Sequence, residues 1–403
     1  MISNLQGIIK MKRIERLFYL KEINKNFRVQ PICAILGARQ VGKTTLAHMY
    51  VEKYRDEAYF FDLENPLDVQ RLENPLLTFK NIAQPLIVID EIQRRPELFP
   101  ILRVLVDEQQ DKRRFLILGS ASRDLIKQSS ETLAGRIGYI ELPPFSLSEV
   151  GESQQLWIRG GFPRSYLADT LADSFLWRRN YITTFLERDI PNLGFNIPAQ
   201  QLQRFWLMLA HYHGQIFNAS ELARSLAISD HTVRRYLDIL AGTFMVRVLL
   251  PWFENLNKRQ VKSPKIYFRD SGILNTLVGL SDKQQLHTNP RLGSFWEGFA
   301  LEEVIRACNA ATSECYFWAT QSEAELDLLI IKNGKRLGFE IKYTDVPKIT
   351  KSMVTAYEML KLDHLGIIYP GSEIFPLSEQ IIVYGIETIV SGVFAQHFFK
   401  NIN

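Results

Sequence analysis

Short runs of β-branched and aliphatic residues alternate with longer amphipathic stretches over residues 1–150. This alternation is typical of a parallel sheet whose faces are covered by helices. Pro143 and Pro144 then break the pattern. The apolar runs predict strands over Ile32–Leu36, Tyr59–Leu63, Leu86–Ile89, Phe115–Leu118 and Tyr139–Leu142. We therefore expect an α/β domain over residues 1–150.

Two other patterns follow along the chain. Aromatic-rich amphipathic segments such as Asp173–Leu186 and Gln201–His211 predict a mostly helical region over residues 151–285. Beyond it, the pattern predicts a helix over Ser294–Ala307, two strands joined by Asn333-Gly334, and a helix around Lys351–Lys361. We therefore expect a third region, again α/β, over residues 286–403.

Composition sets broad limits on these regions. A chain of 403 residues with 46% hydrophobic and 23% charged residues is expected to form two or three globular domains. A net charge of +4 neither indicates nor opposes a nucleic-acid partner. The three cysteines contain no CxxC pair, and there is neither a signal-peptide core nor an apolar run of the ~18 residues that a membrane span needs. We expect a cytoplasmic protein without a membrane partner.

A glycine-rich segment follows the first predicted strand. It consists of Gly37, Ala38, Arg39, Gln40, Val41, Gly42, Lys43 and Thr44, which fit the pattern GxxxxGK[ST], and Thr45 comes next. The glycines let the backbone turn so that its N–H groups face phosphates, and the following helix adds the positive end of its dipole. Lys43 is expected to reach the β- and γ-phosphates of ATP, and the Thr44 hydroxyl is expected to bind Mg²⁺.

The predicted strand Leu86–Ile89 ends in two acids, Asp90 and Glu91. An apolar strand with this ending is the Walker B arrangement. Asp90 is expected to hold Mg²⁺, and Glu91 is expected to polarise the attacking water as the catalytic base. The second acid favours a hydrolase over a small-molecule kinase, which needs no water-activating group at this position.

Two more residues are candidates for the same chemistry. Ser120 follows the strand Phe115–Leu118, where a small polar side chain would sense the γ-phosphate; a helix N-cap is the alternative interpretation. Arg136 precedes the strand Tyr139–Leu142 and is a candidate arginine finger, acting in cis or from a neighbouring subunit. A plain surface arginine is the competing interpretation, and homo-oligomerisation stays open.

These motifs resemble the ATPase domain of a prokaryotic family in the AAA+ superfamily, in which the domain is followed by a C-terminal region of unknown function. The resemblance rests on GARQVGKTTL, LIVIDEIQRRPELFPILRVLVD, LGSAS and ETLAGRIGYIELPPFSLSEV, and later on GGFPRSYL, YITTFLERDI, SPKIYFRDSGILNTLVG and GSFWEGFALEEVI. It implies a P-loop AAA+-type parallel sheet, ATP binding and Mg²⁺ dependence. In some relatives a glycine–x–proline turn lies near the nucleotide, which implies such a role for Pro163. No second sensor arginine is evident.

The middle region contains a predicted helix-turn-helix over residues 220–237. Ser220 is the expected N-cap of its first helix, and Ser229 or Asp230 that of the second. Ala227 occupies a turn position where glycine would ease a positive φ. The second helix would present Thr232, Arg234 and Arg235 to DNA.

The segments Met245–Leu250 and Lys265–Phe268 are predicted to form the wing of a winged helix. The basic residues near and between them are suited to phosphates; they are Lys258, Arg259, Lys262 and Lys265. A module that serves only in packing is the alternative to DNA binding.

The predicted hairpin around Asn333-Gly334 carries four charges on one face. A two-residue turn pairs Lys332 with Lys335, and therefore places Asp327 opposite Glu340 and Glu325 opposite Lys342. Two carboxylates in this relation repel each other, and a divalent cation would remove the repulsion.

An Asp followed by Glu-x-Lys on the next strand resembles the PD-(D/E)xK nuclease core, and so implies a restriction-endonuclease-like domain over residues 286–403. Asp327, Glu340 and the helical acid Glu297 would then hold Mg²⁺, and Lys342 would position or activate water. A fold of this kind that no longer cleaves is the alternative.

Two hypotheses follow for the whole chain. The first is a Mg²⁺-dependent ATPase that acts on DNA and carries a nuclease module. The second is a slow nucleotide-dependent switch that binds DNA or protein, with an inert nuclease-like fold.

Overall fold

The computed structural model describes residues 13–54, 57–108, 113–120, 131–254, 261–320 and 324–400. Its contacts divide the chain into two compact units, Met1–Pro144 and Phe145–Asn403. Among the described residues, no helix combines the length and the apolar character that crossing a membrane requires.

The first unit is built on a parallel sheet of five described strands in the order β2-β3-β4-β1-β5. The strands are β1 (Ile32–Leu36), β2 (Ala58–Asp62), β3 (Leu86–Asp90), β4 (Arg114–Gly119) and β5 (Ile137–Glu141). All five predicted strands are confirmed, with ends that shift by a residue or two. β1 and most of β3 and β4 are buried, because helices cover a parallel sheet on both faces.

The helices of this unit begin at residues that favour helix starts. Asn65 and Asn74 accept a hydrogen bond from the first turn, and Pro66 and Pro75 occupy the first helical position. The described helices are α1 (Leu17–Val29), α2 (Lys43–Tyr54), α3 (Pro66–Arg71), α4 (Pro75–Lys80) and α5 (Leu98–Glu108).

The second unit starts with a helical region, as predicted. A π-helical turn over Phe185–Asp189 interrupts it after the long helix Leu171–Thr184. The described helices are α6 (Leu147–Val150), α7 (Ser153–Arg159), α8 (Pro163–Tyr166), α9 (Leu171–Thr184), α10 (Ile190–Asn192), α11 (Ala199–His211), α12 (Ala219–Leu226), α13 (Asp230–Gly242), α14 (Ser271–Leu277), α15 (Lys283–His287), α16 (Leu292–Ala307), α17 (Lys351–Leu360) and α18 (Val393–Lys400).

A mixed sheet of nine described strands runs through this unit, in the order β13-β14-β12-β11-β10-β9-β7-β8-β6. They are β6 (Gln215–Ile216), β7 (Val246–Pro251), β8 (Lys265–Phe268), β9 (Cys315–Ala319), β10 (Glu325–Lys332), β11 (Lys335–Ile341), β12 (His364–Tyr369), β13 (Ile374–Pro376) and β14 (Ile381–Gly385). β7 pairs with β9 in parallel, so strands from before and after residue 285 share one sheet. The division of the unit into separate domains at that point stays a prediction.

The predicted helix-turn-helix consists of α12 and α13. Ala227 ends α12 with a φ of 55°, the left-handed conformation expected at its turn. Asn218, not Ser220, caps α12 by accepting from the N–H of Glu221. The prediction for Ser220 was wrong because the helix starts two residues earlier, and the Ser220 hydroxyl donates to Asp230 instead. Ser229 caps α13.

The hairpin of β10 and β11 has the predicted register, with Lys332 opposite Lys335 and Leu328 opposite Phe339. The Asn333-Gly334 turn adopts positive φ at both residues, as its strand-matching turn type requires. On the other side of β10, the pairing with β9 shifts between Leu326 and Leu329. Asp327 lies within this bulge, where strands commonly redirect a side chain.

Candidate functional site

The phosphate loop joins β1 to α2 at the carboxyl edge of the first sheet. A Cβ at Gly37 would come within 2.3 Å of the Leu142 carbonyl oxygen, and Gly42 adopts a φ of 97°, so both positions need glycine. Lys43 is buried, and its Nζ donates to the carbonyl oxygens of Gly37 (3.1 Å) and Ala38 (3.0 Å). The ammonium is therefore held over the loop that would receive phosphates.

The Walker B acids lie beside this loop. Asp90 Oδ2 accepts a hydrogen bond of 2.5 Å from the Thr44 hydroxyl, and its Oδ1 accepts from the N–H of Glu91 at 2.9 Å. Glu91 adopts a φ of 56°, and its carboxylate accepts from the Gln93 amide. Burial raises the pKa of both Asp90 and Glu91 above the ordinary carboxylate value, while nearby Lys43 lowers both.

Ser120 follows β4, the strand that lies between β1 and β3. The residue is buried, and its Oγ has no hydrogen-bond partner among the described residues. The role of Ser120 as a sensor of the γ-phosphate stays a prediction. The alternative, a helix N-cap, concerns residues 121–130, which lie outside the described part of the chain.

Arg136 precedes β5, and its backbone oxygen accepts from the N–H of Ile32 at the start of β1. It therefore lies at the amino edge of the sheet, about 16 Å of strand from the phosphate loop. Its guanidinium binds Asp107 through two bonds of 2.5 and 2.9 Å. The role of Arg136 as an arginine finger, in cis or from a neighbouring subunit, stays a prediction.

An ion pair that the motif itself did not predict lies beside the loop. Arg39 Nη2 is 2.5 Å from Glu64 Oε1, and Arg94 binds the same oxygen at 3.1 Å. Arg39 was predicted only as part of the loop backbone. Glu64 follows β2, and only the order of the strands brings it near the loop.

In the second unit, the helix-turn-helix places its candidate residues on α13. Arg234 and Arg235 are exposed, whereas the Thr232 hydroxyl lies 2.9 Å from Ser229 Oγ within the helix cap. Thr232 is therefore engaged in the start of its own helix. Pro163 begins α8 in this unit, and its contact with a nucleotide stays a prediction.

The hairpin acids and the lysine come together as predicted. Lys342 Nζ lies 2.8 Å from Glu340 Oε2 and 4.0 Å from Asp327 Oδ2. The N–H of Ile341 donates to Asp327 Oδ2 at 2.9 Å and fixes this carboxylate. Asp327 and Glu340 are both buried, whereas Lys342 is half-buried.

Lys265 joins the same cluster, which the sequence did not predict. Its Nζ contacts Glu325 and lies 3.5 Å from Glu297 Oε1 and 3.9 Å from Asp327 Oδ1. The hydroxyl of Tyr267 donates to Glu297. The assignment of Lys265 to a phosphate-binding loop was wrong, because it is the first residue of β8 and only 5% exposed. Of the other basic residues proposed there, Lys262 is exposed, and Lys258 and Arg259 lie outside the described residues.

The cluster contains four carboxyl groups and two lysines, namely Glu297, Glu325, Asp327, Glu340, Lys265 and Lys342. Burial and then the neighbouring Asp327 raise the pKa of Glu340 to about 8 and that of Glu297 to about 7. Burial by itself would lower the pKa of Lys265. The neighbouring Tyr267 and Glu297, followed by Asp327 and Glu325, outweigh burial and raise this pKa well above its usual range. In the described part of the chain, no three His, Cys, Asp or Glu side chains already converge as a metal site.

The first unit thus has the P-loop ATPase fold of the AAA type, and residues 29–151 match the family model of the AAA domain. Residues 151–284 and 292–389 match two domains of unknown function, DUF8612 and DUF4143, as expected for the region after the ATPase domain. Two relatives are 48% identical to the chain over 380 residues, which cover 94% of the chain and 85% of each relative. They are Uncharacterized protein Rv2008c of Mycobacterium tuberculosis and Uncharacterized protein Mb2031c of Mycobacterium bovis. The chain belongs to the family of these AAA-domain proteins.

Solved structures of ATPases are also similar. The Walker-type ATPase PABY2304 of Pyrococcus abyssi superposes with a TM-score of 0.45 at 13% identity, over 67% of this chain and 97% of that one. The Thermotoga maritima RuvB Holliday junction branch migration motor superposes with a TM-score of 0.29 at 17% identity, over 58% and 90%.

Proposed function

We propose that the chain hydrolyses ATP with the help of Mg²⁺ at the phosphate loop. The observation that carries this proposal is the contact between Thr44 and Asp90. A hydroxyl and a carboxylate oxygen meet there beside a buried lysine, and this is the donor set that Mg²⁺ takes in P-loop ATPases.

Each residue then has a defined task. The loop N–H groups and the start of α2 bind the phosphates, and Lys43 leaves its two carbonyl partners to pair with the β- and γ-phosphates. Thr44 and Asp90 would hold Mg²⁺, which would supply positive charge beside the phosphate oxygens. Glu91 orients water and accepts its proton, and Ser120 donates to the γ-phosphate.

Steady-state release of phosphate from ATP tests this proposal. We expect turnover with Mg²⁺ and none after chelation with EDTA. Glu91→Gln should lose turnover with its circular dichroism spectrum unchanged. Turnover by Glu91→Gln at the rate of the unsubstituted protein would contradict the assignment of the catalytic base.

For the second unit, we propose that α13 binds DNA and that ATP turnover responds to it. The exposed pair Arg234 and Arg235 supports this proposal, because arginines on a second helix of this type reach phosphates and guanine edges. Duplex DNA added to the turnover assay should increase the rate. An unchanged rate and no binding would favour the alternative, a slow switch whose helix-turn-helix serves in packing.

A second candidate function is metal-dependent phosphodiester cleavage by the hairpin cluster. It is favoured by Asp327 and Glu340, whose buried carboxylates lie beside the half-buried Lys342. Glu297 reaches the same cluster through its contact with Lys265. The carboxylates have the chemistry to hold Mg²⁺ or Mn²⁺, and Lys342 would position water. Nicking of a supercoiled plasmid in Mn²⁺, lost in Asp327→Asn, is the test. If Asp327→Asn nicks as fast as the unsubstituted protein, the cleavage comes from elsewhere.

A further inference from the structure

Lys265 enters the acidic cluster from a different part of the sheet than the acids do. It lies on β8 within residues 151–284, whereas Glu297, Glu325 and Asp327 belong to the region that follows. β7 and β9 connect β8 to β10, so the continuous sheet brings this lysine to the acids.

The position of Lys265 leaves its ammonium little freedom. The residue is 5% exposed, and its Nζ lies 5.6 Å from the centre of the Phe317 ring. Tyr267, two residues further along the strand and so on the same face, donates to Glu297, which also faces Lys265. The lysine is therefore an inner member of the cluster, unlike the half-buried Lys342.

The oxygens that Lys265 contacts are ones that a metal would need. Glu297 Oε1 and Asp327 Oδ1 both face its Nζ, at 3.5 and 3.9 Å. A divalent cation bound by these two carboxylates would lie within a few ångströms of a buried ammonium. Two positive charges at about 4 Å repel each other strongly in a partly desolvated site.

We propose that Lys265 is the built-in counter-ion of the cluster formed by Glu297, Glu325, Asp327 and Glu340, and that it limits metal binding there. A divalent cation binds these acids only by displacing the Lys265 ammonium. This inference rests on the proposed metal chemistry of the cluster. The inference adds that the region 151–284 controls metal binding by the cluster through the side chain of Lys265.

Isothermal titration of Mn²⁺ into the full chain tests the proposal. All variants carry Asp90→Ala, which removes the carboxylate expected to hold a cation at the phosphate loop, so that binding there does not contribute. The key variant is Lys265→Met, which keeps the length and apolar stem of the side chain without its charge. Lys262→Met, an exposed lysine in the same segment, is the matched control.

We expect Lys265→Met to bind Mn²⁺ about tenfold or more tightly than the parent, because the repelling charge is gone. Lys262→Met should bind like the parent, and Asp327→Asn should abolish the gain. Lys265→Met leaves buried acids unpaired and should also melt at a lower temperature, which Mn²⁺ restores more than in the parent. If Lys265→Met does not fold, Lys265→Gln replaces it in both measurements.

The outcomes separate the two proposals. Equal Mn²⁺ affinity in the parent and in Lys265→Met would overturn the role of Lys265 and leave the metal site standing. Weaker binding by Lys265→Met would overturn it too, since the lysine would then assist the metal. No binding by any variant would overturn both.

Discussion

The Thr44 hydroxyl donates a hydrogen bond of 2.5 Å to Asp90 Oδ2, across a sheet in which β4 separates the strands that lead to the two residues. The contact exists because parallel strands end at one edge, where their loops converge. It joins the phosphate loop to the Walker B acid. The predictions for the first unit follow from it.

Lys43→Ala should abolish ATP binding, whereas Glu91→Gln should keep it. Lys43 donates to the loop carbonyls and is expected to pair with phosphates, while Glu91 is expected to act only in activating water. Titration of a fluorescent ATP analogue measures the binding. Equal loss of affinity in both variants would contradict the separate roles.

The double variant Arg234→Ala and Arg235→Ala should weaken DNA binding and flatten its salt dependence. Each lost phosphate contact lowers the slope of log K against log salt by about 0.9. Fluorescence anisotropy with a labelled duplex at several salt concentrations measures both. Arg179→Ala, an exposed arginine on α9, is the control and should behave like the parent. An unchanged slope in the double variant would favour a packing role for α13.

Gly298→Ala should destabilise the second unit although alanine favours helices. A Cβ there would meet His213 Nε2 at 2.1 Å, and this buried imidazole accepts from the N–H of Phe268. We expect a loss of about 1–3 kcal/mol in the free energy of unfolding from overpacking. Urea denaturation measures it.

Gly293→Ala on the same helix is the matched control. A Cβ there meets no described atom within 4 Å. The gain in helix propensity should therefore appear, as an increase of up to about 1 kcal/mol. Equal effects of the two substitutions would show that the contact with His213 does not limit residue 298.

Glu302→Gln should cost about 3–5 kcal/mol at neutral pH. Glu302 is buried on α16, its Oε2 accepts from Arg247 Nη2 at 3.0 Å, and it lies 3.9 Å from Arg269 and Arg306. Removing one charge of a buried group of ion pairs leaves the others uncompensated. Urea denaturation should show this loss, whereas the exposed control Glu379→Gln should change stability by less than about 0.5 kcal/mol.

The effect of Glu302→Gln should shrink in acid. Burial opposes the Glu302 charge, but Arg247 above all, with Arg269 and Arg306, lowers its pKa to about 2. The unfolded value is about 4.3, so the stabilisation is complete above that pH and is lost as the pH falls toward 2. Urea denaturation of the parent and of Glu302→Gln at pH 7 and at about pH 3 measures how their difference in unfolding free energy changes with pH. A difference between parent and variant that grows in acid would contradict this sign.

Local signals in the sequence predicted much of the fold and of the first site. The strands of the first sheet are short apolar runs between turns, and the local sequence is therefore enough to locate them. The register of β10 and β11 follows from Asn333-Gly334, because a two-residue turn admits one pairing. Helix caps were less predictable, since Asn218 and Ser220 are both good caps and only packing selects between them.

What the sequence by itself determined is therefore the phosphate loop, the acids Asp90 and Glu91, and the shared face of Asp327 and Glu340. Only the tertiary structure decided the surroundings of Arg136 and Lys265. Alternation along a strand fixes the face on which a side chain lies, but not which strand becomes its neighbour. The pairing of β7 with β9 joins distant segments, and it turns a lysine expected beside DNA into the buried counter-ion of the acidic cluster.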